Sequence, residues 1–276
     1  MIRPSPVSPP PKGASLVPSL PPTLIERVQY LLCDADGNLF PSEEPAFDAS
    51  AEVTNAFLAS VGIDRRYTAG ELRQAATGMN FRSTAAALAA AAGVTGVDLE
   101  PWVAEERRAV TAHLGATLRP HAPTLAALHA LAERLELAAV SSSALSRLAA
   151  CFTATGLDEL LPPARRYSAE DSLPTPTSKP DPAVYRHACA ALGIEPEQGL
   201  AVEDAVAGVR SAVGAGCPTV GNLLFVLPEE RAERAEALLA AGALTVVESW
   251  QELADLVLPV LDGRVQDAGS LTGVAR

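Results

Sequence analysis

At 276 residues and 28.6 kDa, the chain is long enough for one large α/β domain or a core with a smaller companion, and it needs no disulfide framework. Its four cysteines, Cys33, Cys151, Cys189 and Cys217, form no C-x-x-C pair, which argues against a stapled secreted scaffold and a thiolate zinc site. With 21 Lys plus Arg against 33 Asp plus Glu, the net charge of −12 predicts a surface that repels nucleic acid and anionic lipid, while a small anionic ligand remains open to a locally positive pocket.

Residues 1–24 hold eight of the 23 prolines and only two charged side chains, Arg3 and Lys12, a composition expected of a disordered arm. The start of the chain lacks the apolar run of a signal peptide, and no later stretch is apolar for the length of a membrane span, so a soluble, cytoplasmic protein is expected. Short apolar runs then alternate with helical patterns, the signature of a parallel sheet covered on both faces. The candidate strands are 28–33, 135–140, 199–202 and 218–221, with 244–247 a further one. Asp181-Pro182 opens a helix that Gly193 closes, and Gly216 closes the next. Residues 44–117 break the alternation with Ala-rich helical stretches and no strand between them, so they read as an all-helical insertion between the first and second strands. Helical periodicity fades after Leu261, and residues 263–276 read as a loose tail. The core is therefore expected over 25–43 and 118–262.

Chemistry-bearing residues gather at predicted strand ends, where open parallel sheets bind ligands. The first strand delivers Asp34 and Asp36, two residues apart and so on the same side, with Gly37 allowing a sharp turn after them. The second ends in Ser141, Ser142 and Ser143 at a helix start, where hydroxyl and backbone donors can meet an anion. Lys179, in T-S-K-P-D-P, is placed as a point charge for a phosphate or a carboxylate cluster. Glu203 and Asp204 end a further strand, and neighbouring buried carboxylates repel unless a cation lies between them. Each has a plainer account: acidic turns, serine and acidic N-caps, a surface lysine. The conjunction of all four describes a phosphate site with magnesium.

These motifs, D-A-D-G-N-L, the serine after L-E-L-A-A-V, S-K-P-D-P-A-V-Y and V-E-D-A-V-A-G-V-R-S-A-V-G-A-G, come in the order of the haloacid dehalogenase superfamily of phosphohydrolases, which the chain resembles from about Val28 to Leu256. The resemblance is to the branch that includes β-phosphoglucomutase and phosphoglycolate phosphatase. It implies a doubly wound, mostly parallel Rossmann-like α/β core with an inserted all-helical cap, 44–117. It further implies a Mg²⁺-dependent phosphatase acting on a small phosphorylated metabolite, a sugar phosphate or a phosphoglycolate-like acid, through an aspartyl-phosphate. Asp34 resembles the nucleophile, Asp36 the general acid and base, and Ser141 and Lys179 the groups that hold the phosphoryl oxygens. Asp34, Asp36, Glu203 and Asp204 are the implied metal set, and Ser142 and Arg82 the implied substrate-binding residues.

Two departures stand out. Asn38 replaces the family's usual Thr or Val, and F-P-S-E-E-P-A-F-D-A-S lacks the histidine found there in β-phosphoglucomutase. The second aspartate argues against a dehalogenase. A phosphosugar mutase and a non-catalytic phosphate-binding member are the competing readings, and neither substrate identity nor oligomeric state is specified.

Overall fold

The computed structural model describes residues 18–76 and 79–272. In chain order the elements are α1 (Pro22–Ile25), β1 (Tyr30–Cys33), α2 (Glu43–Ser60), α3 (Ala69–Ala75), α4 (Phe81–Ala91), α5 (Glu100–Thr117), α6 (Ala122–Ala132), β2 (Glu136–Ser141) and α7 (Leu145–Thr155). They continue as β3 (Arg166–Ser168), α8 (Ala183–Leu192), β4 (Gly199–Glu203), α9 (Val206–Ala215), β5 (Thr219–Asn222), α10 (Arg231–Ala241), β6 (Thr245–Val247) and α11 (Trp250–Thr272).

The six strands form one sheet in the order β3-β2-β1-β4-β5-β6, and every recorded pairing is parallel. The chain winds outward from β1 in one direction through β2 and β3, then returns to β4 and runs the other way. The point of reversal, at the carboxyl end of β1, is where a doubly wound sheet opens a crevice. Successive residues of a strand face opposite sides. Leu31, Cys33, Leu137, Ala139, Leu200 and Val202 accordingly share one core with α6, α7 and α11, while Leu32, Ala138, Val140 and Ala201 pack against α8 and α9 on the other side. Burial on both faces explains why the strands read as continuous apolar runs rather than alternating ones.

The insertion expected from its missing strands is helices α2 to α5. It carries its own apolar cluster, with Phe57, Leu58, Leu72, Ala85 and Ala89 buried and the Phe57 and Trp102 rings edge to face at 5.7 Å. Its helix starts are locally coded. Thr68 and Glu71 form a reciprocal capping box on α3, and Asn80 accepts the Ser83 N–H at the head of α4. Two ion pairs tie the insertion to segments that follow strands on either side of β1: Arg73 to Glu230, at the head of α10, at 3.0 Å, and Arg107 to Glu170, just after β3, at 2.5 Å.

Three expectations need correction. β3 was not foreseen, because Arg-Tyr-Ser offers no apolar run and owes its extension to pairing with Ala139–Ser141. The proline-rich arm ends sooner than residue 24: Pro22 sits in the first turn of α1, where its fixed φ suits a helix, and Leu20 and Leu24 pack against the core. Residues 1–17 lie outside the described part. The tail expected from 263 is helical to Thr272, because local backbone hydrogen bonding continues where the amphipathic pattern fades; residues 273–276 lie outside the described part. Among the described residues no helix is long and apolar enough to cross a membrane.

Candidate active site at the strand ends

Asp34 follows directly on β1, a strand buried on both sides, so its position is set by the sheet and not by a loop. Lys179, from the segment between β3 and α8, reaches across to it. The ammonium group donates to Asp34 Oδ1 at 2.5 Å, Glu203 Oε1 at 2.7 Å and the Val140 carbonyl at 2.7 Å. Those three bonds use all the donors a lysine has. Its main-chain N–H is fixed as well, donating to Ser142 Oγ at 3.0 Å. Glu203 Oε1 also accepts the Tyr185 hydroxyl at 2.5 Å, so β1, β4 and α8 meet in one buried polar cluster.

Asp36 is held differently. Its Oδ1 accepts the Ser42 hydroxyl and its Oδ2 the Ser143 hydroxyl, both at 2.7 Å. Ser42 stands at the head of α2 but caps nothing with its side chain, because the hydroxyl is turned to Asp36. Ser141 is buried at the end of β2, where its hydroxyl accepts the Ser143 N–H at 3.0 Å and so shapes the turn that presents Ser143.

Asn38, the departure from the family pattern, is fully buried and turned inward. Its amide nitrogen donates to the carbonyls of Asp34 (2.9 Å) and Val202 (3.0 Å), and its oxygen accepts from Asn222 (2.8 Å). Trp250 Nε1 donates to the Asn38 carbonyl at 3.0 Å. One side chain thus stitches the ends of β1, β4 and β5, while Gly37, at φ 75°, takes the turn itself.

Two glycines make room for acids. A Cβ on Gly37 would lie 2.3 Å from Asp204 Oδ2, and one on Gly208 would lie 1.8 Å from Glu203 Oε2. Asp34, Glu203 and Asp204 each offer an oxygen within 4.8 Å of the others. Burial raises the Asp34 carboxyl against the pull of Lys179. Burial, opposed by Lys179 and reinforced by Asp34, lifts Glu203 to about 8. Burial and then the charges of Asp34 and Glu203 push Asp204 well above the carboxylate range. Lys179 remains charged because Asp34 and Glu203 outweigh the cost of its burial. One ammonium therefore faces three buried carboxylates, and among the described residues no group donates to the Asp204 carboxylate. An all-oxygen, acid-rich set with one carboxylate lacking a donor fits a hard divalent cation.

Residues 28–216, well over half of the chain, match the profile of a hydrolase family described as haloacid dehalogenase-like hydrolase. The chain belongs to that family. Among solved structures, this haloacid dehalogenase-like hydrolase resembles a HAD family hydrolase from Deinococcus radiodurans R1 with bound phosphate and sodium: 27% identity, 85% of this chain and 97% of that one covered, TM-score 0.63. A mutant of CbbY from Rhodobacter sphaeroides in complex with xylulose-(1,5)bisphosphate shares the fold, at 23% identity over 81% of this chain and 95% of that one, with a TM-score of 0.58. A short stretch of 43 residues is 51% identical to validoxylamine A 7'-phosphate phosphatase of Streptomyces hygroscopicus subsp. limoneus. It covers 16% of this chain and a fifth of that relative's length.

The structure gathers Asp34, Asp36, Ser141, Ser142, Lys179, Glu203 and Asp204 around one crevice. Arg82 stands apart: it forms a bidentate ion pair with Glu100, and both side chains are largely exposed. Ser42, Ser143, Tyr185 and Asn222 join the site beyond the residues given a role from sequence, and Asn38, noted there as a departure, braces it. Ser143 was in view within the serine run; the roles of the others depend on contacts between distant elements.

Proposed function

We propose that this hydrolase is a Mg²⁺-dependent phosphatase that cleaves a small phosphorylated metabolite through an aspartyl-phosphate. The observation that carries this reading is the convergence of Asp34, Lys179, Glu203 and Asp204 at the carboxyl ends of β1 and β4, with Asp36 fixed beside them by Ser42 and Ser143. Asp34 attacks phosphorus, a P–O bond to the carboxylate forms, and the ester P–O bond breaks. Asp36 protonates the departing oxygen; it then takes a proton from water as that water attacks the acyl phosphate, releasing phosphate and restoring Asp34. The two serine hydroxyls hold the Asp36 carboxyl in one orientation for both steps. Lys179 keeps Asp34 oriented and offers positive charge to the phosphoryl oxygens, and the Ser141 hydroxyl offers them a donor.

The Asp34 carboxylate, the Asp36 carbonyl and the Asp204 carboxylate would hold magnesium, which when bound neutralises charge on the phosphoryl group. Glu203, engaged by Lys179 and Tyr185, supports the site from behind. Helices α2 to α5 act as the cap, covering the crevice and contacting the rest of the substrate. Asn38 carries no argument for a non-catalytic member, since its side chain braces the sheet and leaves the turn after Asp36 to Gly37. The test is release of phosphate from p-nitrophenyl phosphate with magnesium present. Chelation should abolish it and Mg²⁺ restore it, and Asp34→Asn should lower it by about four orders of magnitude or more. Isomerisation of a hexose 1-phosphate without net release would replace hydrolysis with the mutase reading.

A further inference from the structure

Of the acids expected to hold magnesium, Asp204 has the least to fix it. It stands one residue beyond Glu203, the last paired position of β4, in the bend before α9, and among the described residues nothing donates to its carboxylate. Two contacts confine it. On the side-chain side, Gly37 admits the carboxylate so closely that a Cβ there would lie 2.3 Å from Oδ2. On the main-chain side, Arg234 Nη1 donates to the Asp204 carbonyl at 3.1 Å, from 30 residues away in sequence.

Arg234 stands on a helix that is itself seated. Its main-chain N–H donates to the Glu230 carbonyl at the head of α10, at 2.9 Å. One turn further on, Leu238 is fully buried, and a Cβ on Gly221 of β5 would lie 2.9 Å from its Cδ1, so α10 rests directly on the sheet. In a chain with 33 acidic side chains against 21 basic ones, a guanidinium has many carboxylates to choose from. Yet among the described residues Arg234 is in no ion pair, and Glu230, one turn back on the same helix, is taken by Arg73. The guanidinium is directed at a main-chain oxygen instead.

An arginine so placed has two opposed effects on a cation. Its charge repels Mg²⁺, while its bond to the ligand's main chain removes the need to order that ligand when the ion arrives. The charge sits on a half-buried side chain, where solvent screens it, whereas the hydrogen bond is direct and charge-assisted. Positioning therefore outweighs repulsion.

We propose that Arg234 is a positioning residue for the metal site, holding the Asp204 main chain so that its carboxylate stands beside those of Asp34 and Glu203 before the cation binds. The inference rests on the magnesium-dependent phosphatase reading above. It is tested by calorimetric titration of the full chain with Mg²⁺ alone. Arg234→Met keeps the apolar stem and should raise the Mg²⁺ Kd about 10–100-fold, while Arg234→Lys restores a donor and the charge and should recover most of that loss. In p-nitrophenyl phosphate hydrolysis the Met variant should need correspondingly more Mg²⁺ for half its maximal rate, with kcat and KM at saturating Mg²⁺ within about threefold of wild type. Unchanged or tighter Mg²⁺ binding by Arg234→Met would overturn the inference, since charge alone predicts that sign. A raised KM that persists at saturating Mg²⁺ would also overturn it, by making Arg234 a substrate contact. Should Arg234→Met fail to fold, Arg234→Gln is titrated in its place under the same criterion. Mg²⁺ binding by the wild-type protein without hydrolysis would overturn the phosphatase reading, and the same titration would still decide the role of Arg234. Absence of Mg²⁺ binding by the wild-type protein would overturn both.

Discussion

The strand-end site and the helical insertion are built on opposite principles. At the strand ends Lys179 uses every donor, Asp36 has both oxygens engaged, and Asn38 uses both amide hydrogens and its carbonyl oxygen. The helical insertion is packed on apolar side chains instead, with Phe57, Leu58 and Leu72 buried at its centre. A saturated network on buried strands holds its geometry before any ligand arrives, which chemistry at a single phosphorus requires. Apolar packing is non-directional, so it holds the helices as a unit without fixing the place of any one polar atom.

The sharpest way to break this contrast is Lys179→Met. It leaves the Asp34 and Glu203 carboxylates buried without their ammonium, and the expected loss is about 3–5 kcal/mol of stability together with activity. Urea unfolding within about 1 kcal/mol of wild type would mean that the saturated cluster is not what holds the strand ends, and magnesium-dependent recovery of stability would identify the carboxylates as the cause. Asn222→Leu is next. It strands the buried Asn38 oxygen and should cost about 1–3 kcal/mol, with a fall in kcat as the β1 end loosens.

A smaller effect is expected at the far edge of the same sheet. Arg166 is buried, stacks on Phe152 and donates to Asp158 Oδ1 at 2.5 Å. Burial raises the Asp158 carboxyl, but hydrogen bonds from Thr153 and Arg166 and the guanidinium charge outweigh it and leave it below the usual range. Its stabilising contribution is therefore complete above the unfolded pKa of about 3.9 and is lost as pH falls through the lower folded value. Asp158→Asn should make stability less steep in acid, seen as a smaller separation of melting temperatures between pH 3 and pH 6. The least costly change is Arg73→Ala. Both partners of this link to Glu230 are about one-third exposed, so at most about 0.5 kcal/mol should be lost, while KM rises if the insertion is held less closely over the site.

The core and the main site residues were legible because their signals are local. Strand, acid, acid and glycine stand within a few positions at 30–37, and the strand-end acids at 203–204 follow an apolar run directly. The insertion showed itself by the absence of strands. What escaped was whatever depends on distant packing. β3 exists only by pairing with β2. Tyr185 lies among apolar residues on the buried face of α8 and reads as core until its hydroxyl is seen against Glu203. Ser42 reads as a helix cap, and Asn38 as a disturbance of a turn, until the neighbours that claim their side chains are known.

The fit of Glu203 against Gly208 has an implication for redesign. An added methyl at 208 would occupy the position of the glutamate's terminal atoms, so the two positions are one volume divided between two residues. Gly208→Ala alone should expel the acid and release both Lys179 and Tyr185, whereas the same change made together with Glu203→Asp trades one carbon for another. Recovery in that double variant, beyond the sum of the single ones, would mark the pair as a unit that must be altered together or not at all.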